Sequence, residues 1–153
     1  MNIQDIKKVI IDAANKSIHS SSNKIWTKRL NKEFISFAHK NNLKVYCKTK
    51  GADWREWLYD LTICEQNNSS PYNITSTKLV MESEWIPKND EIIEDFQKLL
   101  LCNSDYKILV FYKKSEIIPE LIKHIKSYSN TNGTFLLACY TEDKGYIFET
   151  ITI

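Results

Sequence analysis

Glycine, proline and histidine are scarce, with three of each in 153 residues. With so few glycines the chain forms neither a Walker phosphate loop nor a dinucleotide-binding G-x-G-x-x-G turn. The histidines His19, His39 and His124 stand alone, outside any H-E-x-x-H or Cys/His spacing, which leaves none of them for zinc or nucleophilic catalysis. Cys47, Cys64, Cys102 and Cys139 include no C-x-x-C pair, so zinc-knuckle and thioredoxin-like redox sites are excluded and each cysteine reads as a small buried hydrophobe. No run approaches the ~18 apolar residues of a membrane span, and the amino terminus lacks the apolar centre of a signal peptide. A cytoplasmic protein without a membrane partner is expected. Charge of one sign is also lacking: 21 basic residues against 19 acidic give a net charge of +2, which argues against a generic polyanion-coating protein but leaves room for a local basic patch.

What remains is an ordinary globular composition, 42% hydrophobic and 26% charged, with a length suited to a single domain over 1–153. There is no fixed-period repeat, and the polar stretch 66–76 reads as a loop. Ile3, Ile6, Val9, Ile10 and Ala13 recur at helical spacing and predict a helix over 3–16, ending near His19. The run Ser20, Ser21, Ser22, Asn23 supplies N-cap residues for a second helix reaching Lys40, with Trp26, Leu30, Phe34 and Phe37 on its apolar stripe and the Asn41-Asn42 pair as its stop. Three strands are expected over 43–48, 54–65 and 78–85, arranged most simply as a meander. After Pro87, Asp90 caps a third helix carrying Ile92, Phe96, Leu99 and Leu100, followed by a strand over 107–112 and a helix over 115–128. Strands over 134–141 and 146–153 form a closing hairpin, giving the order ααβββαβαββ and a mixed sheet through a strand–helix–strand crossover.

The informative residues are carboxylates inside apolar strands, because a buried ionised carboxylate needs a partner or a shifted pKa. Asp60 shares a strand face with Leu58, Thr62 and Cys64, and Glu82 and Glu84, two apart, project from one face of the next strand. Paired as a hairpin, these strands would bring three carboxylates together, and the repulsion calls for a hard divalent cation such as Mg²⁺. The competing reading pairs Asp60 and Glu84 with lysine or arginine, or leaves them at a solvated strand end.

An acid on one strand, a Glu-x-Glu on the next and an αβββαβ core together resemble the PD-(D/E)xK superfamily of restriction-endonuclease-like nucleases, over 24–112. The resemblance implies an α/β fold with a three-layer core, in which helices flank a mixed central β-sheet. It further implies that Asp60 and Glu82 are ligands of Mg²⁺, with Mn²⁺ as a substitute, and that Glu84 stands where the family usually carries its catalytic lysine. Tyr59 precedes Asp60, so the family's Pro-Asp pair is missing. Because a displaced lysine is a known variation, Lys98 on the following helix is the nominal candidate, ahead of Lys88 and Lys78. The helical wheel, however, puts Lys98 nearly opposite the face of Ile92, Phe96 and Leu99, where it reads as solvated. Glu33, on the inward side of the second helix, matches the acid that family members often contribute from this helix as a further ligand; it reads equally as a glutamate paired with a neighbouring lysine.

Lys24, Lys28, Arg29 and Lys32 around Trp26 read as a solvated helix face or a phosphate-positioning surface. Trp54, Trp57 and Trp85 read as packing around the strands. The resulting expectation is a metal-dependent nuclease acting on nucleic acid, DNA ahead of RNA, as a homodimer where two strands must be addressed. The alternative is a catalytically inactive nuclease-fold module that binds a protein or nucleic-acid partner.

Overall fold

A computed structural model of the chain describes residues 1–15, 22–67 and 73–153. The protein is α/β, with four α-helices and a six-stranded mixed sheet among the described residues, and the strand order follows the chain, β1-β2-β3-β4-β5-β6. It divides into two compact units, Met1–Thr77 and Lys78–Ile153. The expected end of the first helix near His19, the caps Ser20 and Ser21, and the middle of the polar stretch 66–76 lie outside the described residues. Among the described residues no helix is long and apolar enough to cross a membrane.

In the first unit α1 (Ile3–Asn15) buries Ile6, Val9, Ile10 and Ala13, the face foreseen from their spacing, and packs against α2 (Asn23–Lys40). The inward stripe of α2 is Leu30, Asn31, Phe34, Ile35 and Ala38, each apolar side chain of that size contributing about 1.5–3 kcal/mol when fully buried. The helix stops as the Asn41-Asn42 pair suggested. Asn42 takes a left-handed backbone (φ 57°), its N–H donates to the His39 carbonyl at 3.1 Å, and the Leu43 N–H donates to the Ala38 carbonyl at 3.0 Å. These two bonds make a Schellman cap, in which a non-glycine residue tolerates left-handed geometry because asparagine is among the few that do.

Strand β1 (Lys44–Cys47) pairs antiparallel with β2 (Leu61–Gln66), with Cys47 opposite Leu61 and Lys44 opposite Cys64. The strand expected over 54–65 is therefore only half present. Its first residues are used elsewhere: Trp54 forms an isolated parallel bridge with Tyr46, and the Asp53 and Trp54 N–H groups both donate to the Val45 carbonyl. A segment running parallel to β1 must reverse before Leu61 can pair antiparallel to it, so 55–60 is irregular and ends in a bend. At the far end of β2, strand replaces loop. Glu65 accepts a hydrogen bond from Ser76 Oγ at 2.7 Å, and β3 (Ile74–Glu84) begins four residues before the expected 78.

In the second unit β3 pairs parallel with β4 (Tyr106–Tyr112), β4 pairs parallel with β5 (Thr134–Thr141), and β5 pairs antiparallel with β6 (Gly145–Thr152). The two parallel connections run through α3 (Asn89–Leu100) and α4 (Ile118–Ser127), as parallel neighbours require. Helix α3 turns Ile92, Phe96 and Leu99 inward; α4 does the same with Ile118, Leu121 and Ile125 and carries Pro119 in its first turn, where the missing N–H costs nothing. Strands β4 and β5 are buried almost throughout, the continuous apolar reading typical of parallel strands covered on both faces. Gly133 leads into β5 with φ +85°, and a Cβ there would sit 2.6 Å from the Ser104 carbonyl oxygen, so no other residue fits.

Candidate functional site

Glu82 sits on β3 opposite Leu109 of β4, between strand neighbours Met81 and Ser83 that are also buried, and is itself only 4% exposed. A carboxylate in that setting needs a counter-charge. It has one in Lys98 of α3, whose Nζ lies 3.4 Å from Glu82 Oε1 and 2.7 Å from Asp95 Oδ1. Partial burial works against the Lys98 ammonium, but the hydrogen bond from Lys98 to Asp95 and the charges of Glu82 and Asp95 outweigh it and hold the group above the ordinary lysine range. The expectation that Lys98 is merely solvated is thus corrected. Lys98 is exposed, yet its long side chain carries the ammonium to Glu82 on the strand, which a helical wheel does not represent.

Glu84 lies two residues on and is half-buried, as alternation places it on the Glu82 side of β3. Its Oε1 accepts a hydrogen bond from the Ile86 N–H at 2.5 Å. Burial pushes the Glu84 carboxyl up, the Ile86 N–H opposes, and the nearby charges of Asp95 and Glu91 push it further, for a net rise above the usual carboxylate range. Glu82, Glu84, Asp95 and Lys98 therefore form one charge cluster at the junction of β3 and α3.

The remaining candidates fall elsewhere. Asp60 belongs to the first unit and is half-buried in the bend before β2, not on a strand face as expected, because 55–60 makes the reversal described above. Glu33 is half-buried on α2 in the same unit. Lys78 pairs with Asp105 at 3.3 Å, and Lys88 is exposed at the start of α3. Lys24, Lys28 and Lys32 form the solvated face, while Arg29 is half-buried. Among the described residues no group of three or more His, Cys, Asp or Glu side chains is placed to hold a metal ion.

Two charged residues with structural weight escaped the sequence reading. Lys107 at the start of β4 is fully buried, donates to Thr131 Oγ1 at 2.9 Å and to the Asn132 carbonyl, and lies 4.8 Å from the Phe135 ring centre. Burial lowers its pKa, with the neighbouring Cys102 opposing. The signal was available: Lys107 opens a continuous apolar run, and a strand covered on both faces buries every position of such a run. Asp53 accepts hydrogen bonds from the Val45 N–H at 2.9 Å, His39 Nε2 at 3.0 Å and Lys44 Nζ at 3.0 Å. The cysteines are all free, Cys47, Cys64 and Cys139 buried and Cys102 half-buried; burial lifts the Cys64 thiol to about 11. No family model, curated protein or solved structure matches the chain.

Proposed function

We propose that this chain is a restriction-endonuclease-like, metal-dependent nuclease domain that hydrolyses nucleic-acid phosphodiester bonds in the cytoplasm, with DNA as its first substrate and with chemistry centred on the second unit. The observation that carries the proposal is the buried Glu82 carboxylate held against Lys98. The donors beside it, Glu84 and Asp95, are carboxylate oxygens, the ligand type that suits Mg²⁺ or Mn²⁺. Such a cation, when bound, would polarise a phosphoryl oxygen and neutralise charge on it. Lys98, protonated throughout the neutral range, supplies a fixed positive charge for the developing charge on phosphate. Glu84, held by the Ile86 N–H, would take a proton from an attacking water, and its raised pKa brings it nearer to the range of a working general base. Asp60 and Glu33 belong to the first unit and take no part in this reading.

A second reading has an observation of its own. Lys98 is already shared between Glu82 and Asp95, an arrangement that a structural ion pair would also adopt, and this favours an inactive module that binds its partner. One experiment separates the two. Purified protein should cleave single- or double-stranded DNA with Mg²⁺ or Mn²⁺, stop in EDTA, and lose at least 100-fold of its rate in Glu82→Gln and in Lys98→Met, a loss of the size expected when an electrostatic stabiliser is removed. Glu82→Gln should also remove any metal-induced rise in melting temperature. Well-folded protein that cleaves no substrate with either metal leaves the binding module as the function.

A further inference from the structure

The first unit carries a cavity of about 610 Å³ formed by the loop that leaves β1, with Thr49, Lys50, Gly51, Trp54 and Arg55 among its lining residues. The loop is built to hold its shape. Thr49 is buried and its Oγ1 accepts a hydrogen bond from the buried Asn31 of α2 at 3.3 Å; the Ala52 N–H donates to the Thr49 carbonyl; Gly51 turns the chain at φ +105°. The return arm is tied to β1 through the Asp53 contacts with Lys44 and the Val45 N–H and through the Tyr46–Trp54 bridge, and to α2 through the Asp53 contact with His39.

What this frame displays is unusual for a surface loop. Trp54 is 42% exposed, Trp57 62% and Leu58 61%, so the indoles expected to pack around strands face solvent instead. Trp54 has one ring face against Tyr46, with centroids 6.5 Å apart and planes 23° from parallel, which fixes its orientation. The acids of the loop are already engaged, Asp53 with His39 and Lys44 and Glu56 with Lys48 at 2.8 Å. Lys50 and Arg55 are exposed and have no carboxylate partner among the described residues. Exposed aromatic faces interleaved with uncompensated cations are the combination that binds unpaired nucleotides, since every base has a face to stack and every link a negative charge. A duplex hides its base faces in the stack, and an acidic peptide would use the cations and leave the indoles idle.

We propose that this loop, with Trp57 and Leu58 beside it, is a binding site for single-stranded nucleic acid, in which Trp54 and Trp57 stack on bases and Lys50 and Arg55 contact phosphates. The proposal draws on none of Glu82, Glu84 or Lys98 and holds whether or not the chain cleaves anything.

The test is done on the whole chain in EDTA, so that cleavage cannot contribute. A labelled oligothymidylate of about 12 nucleotides, within the site sizes of single-strand binders, is titrated with protein, following anisotropy and tryptophan fluorescence. Binding should quench the tryptophans and weaken with salt. Trp57→Ala should weaken it by roughly 5- to 150-fold, the cost of losing one stacked base, while Trp57→Phe should retain most of it. Arg55→Gln should lower the slope of log K against log salt by about 0.7, one single-strand phosphate contact. Both side chains are exposed, and circular dichroism should show both variants folded. The proposal is overturned if the oligonucleotide fails to bind, if Trp57→Ala and Arg55→Gln bind like the native chain, or if duplex DNA or polyglutamate binds as tightly as the single strand.

Discussion

The loop after β1 in the first unit and the β3–β4 strand pair in the second both set charged residues among apolar ones, but they resolve the conflict in opposite ways. In the loop, Asp53 reaches the surface region and collects three donors there, His39, Lys44 and the Val45 N–H, while Lys50, Arg55 and two tryptophans are left facing water. In the strand pair the charge goes inside: Lys107 is fully buried against Thr131 and the Asn132 carbonyl, and Glu82 is buried against Lys98. Solvent can rescue a damaged partner in the first arrangement. It cannot in the second, so substitutions there should be costly, and chemistry that depends on a low local dielectric belongs there.

The contrast is broken most severely at Lys107. Lys107→Ala removes a buried stem and strips the Asn132 carbonyl of its donor, for an expected loss of about 3 kcal/mol in urea unfolding. Lys107→Met keeps the stem and should recover roughly half of that. It also reveals the sign of the titration. Because the folded lysine's pKa is depressed, burying its charge costs stability below the folded pKa, and the cost fades as pH rises from there toward ~10.4, the unfolded value. The native chain should therefore gain on Lys107→Met with rising pH across that window; a constant difference would mean that the lysine does not titrate there.

Lys98→Met leaves Glu82 buried without its ammonium, and a loss of about 2 kcal/mol is expected, below the ~3–5 of a fully enclosed pair because Lys98 is partly exposed. Double substitution with Glu82→Gln should recover much of it, and thermal melts of the cycle would show the coupling. A smaller effect belongs to the first unit. Partial burial pushes Asp53 up, but the Val45 N–H, His39 and Lys44 outweigh it and leave its pKa depressed. Its contribution, about 1 kcal/mol, is thus complete above the unfolded value of ~3.9 and disappears as pH falls through the lower folded value. Acid titration of native chain against Asp53→Asn should show the two stabilities converging at low pH. Smallest is Asn42→Ala, where the left-handed cap should cost about 1 kcal/mol or less and Asn42→Gly close to nothing, read as a shift in urea midpoint.

Legibility in the sequence followed the same division. Strands β4, β5 and β6 came within a residue of the expected bounds, because continuous apolar runs such as those of β4 and β5 have one way to be satisfied, whereas β3 starts four residues early and α4 three residues late. The apolar faces of α1 and α3 were equally plain from their spacing. The segment 54–60 was misread because aromatic content was taken as a strand signal, while the feature that decides its path, an Asp53 carboxylate bonding back to the Val45 N–H, is tertiary. For the site, the Glu82 and Glu84 pair was visible from alternation. Lys98 was visible as a candidate but not as a contact, since a wheel records where a side chain leaves the helix and not where its charge ends. Asp95, its closest partner, lies three residues earlier and was within reach of the ordinary rule for helical neighbours.

The run of strands in chain order gives β5 a particular exposure while the chain is being made. Its residues Phe135, Leu136, Leu137, Ala138 and Cys139 are all buried in the finished protein, and β6 supplies the antiparallel partner along its full length. A ribosome-bound chain that stops short of Gly145 would present an apolar strand with an unpaired edge, the surface on which chains stick to one another. Loss of β6 should therefore show first as insolubility.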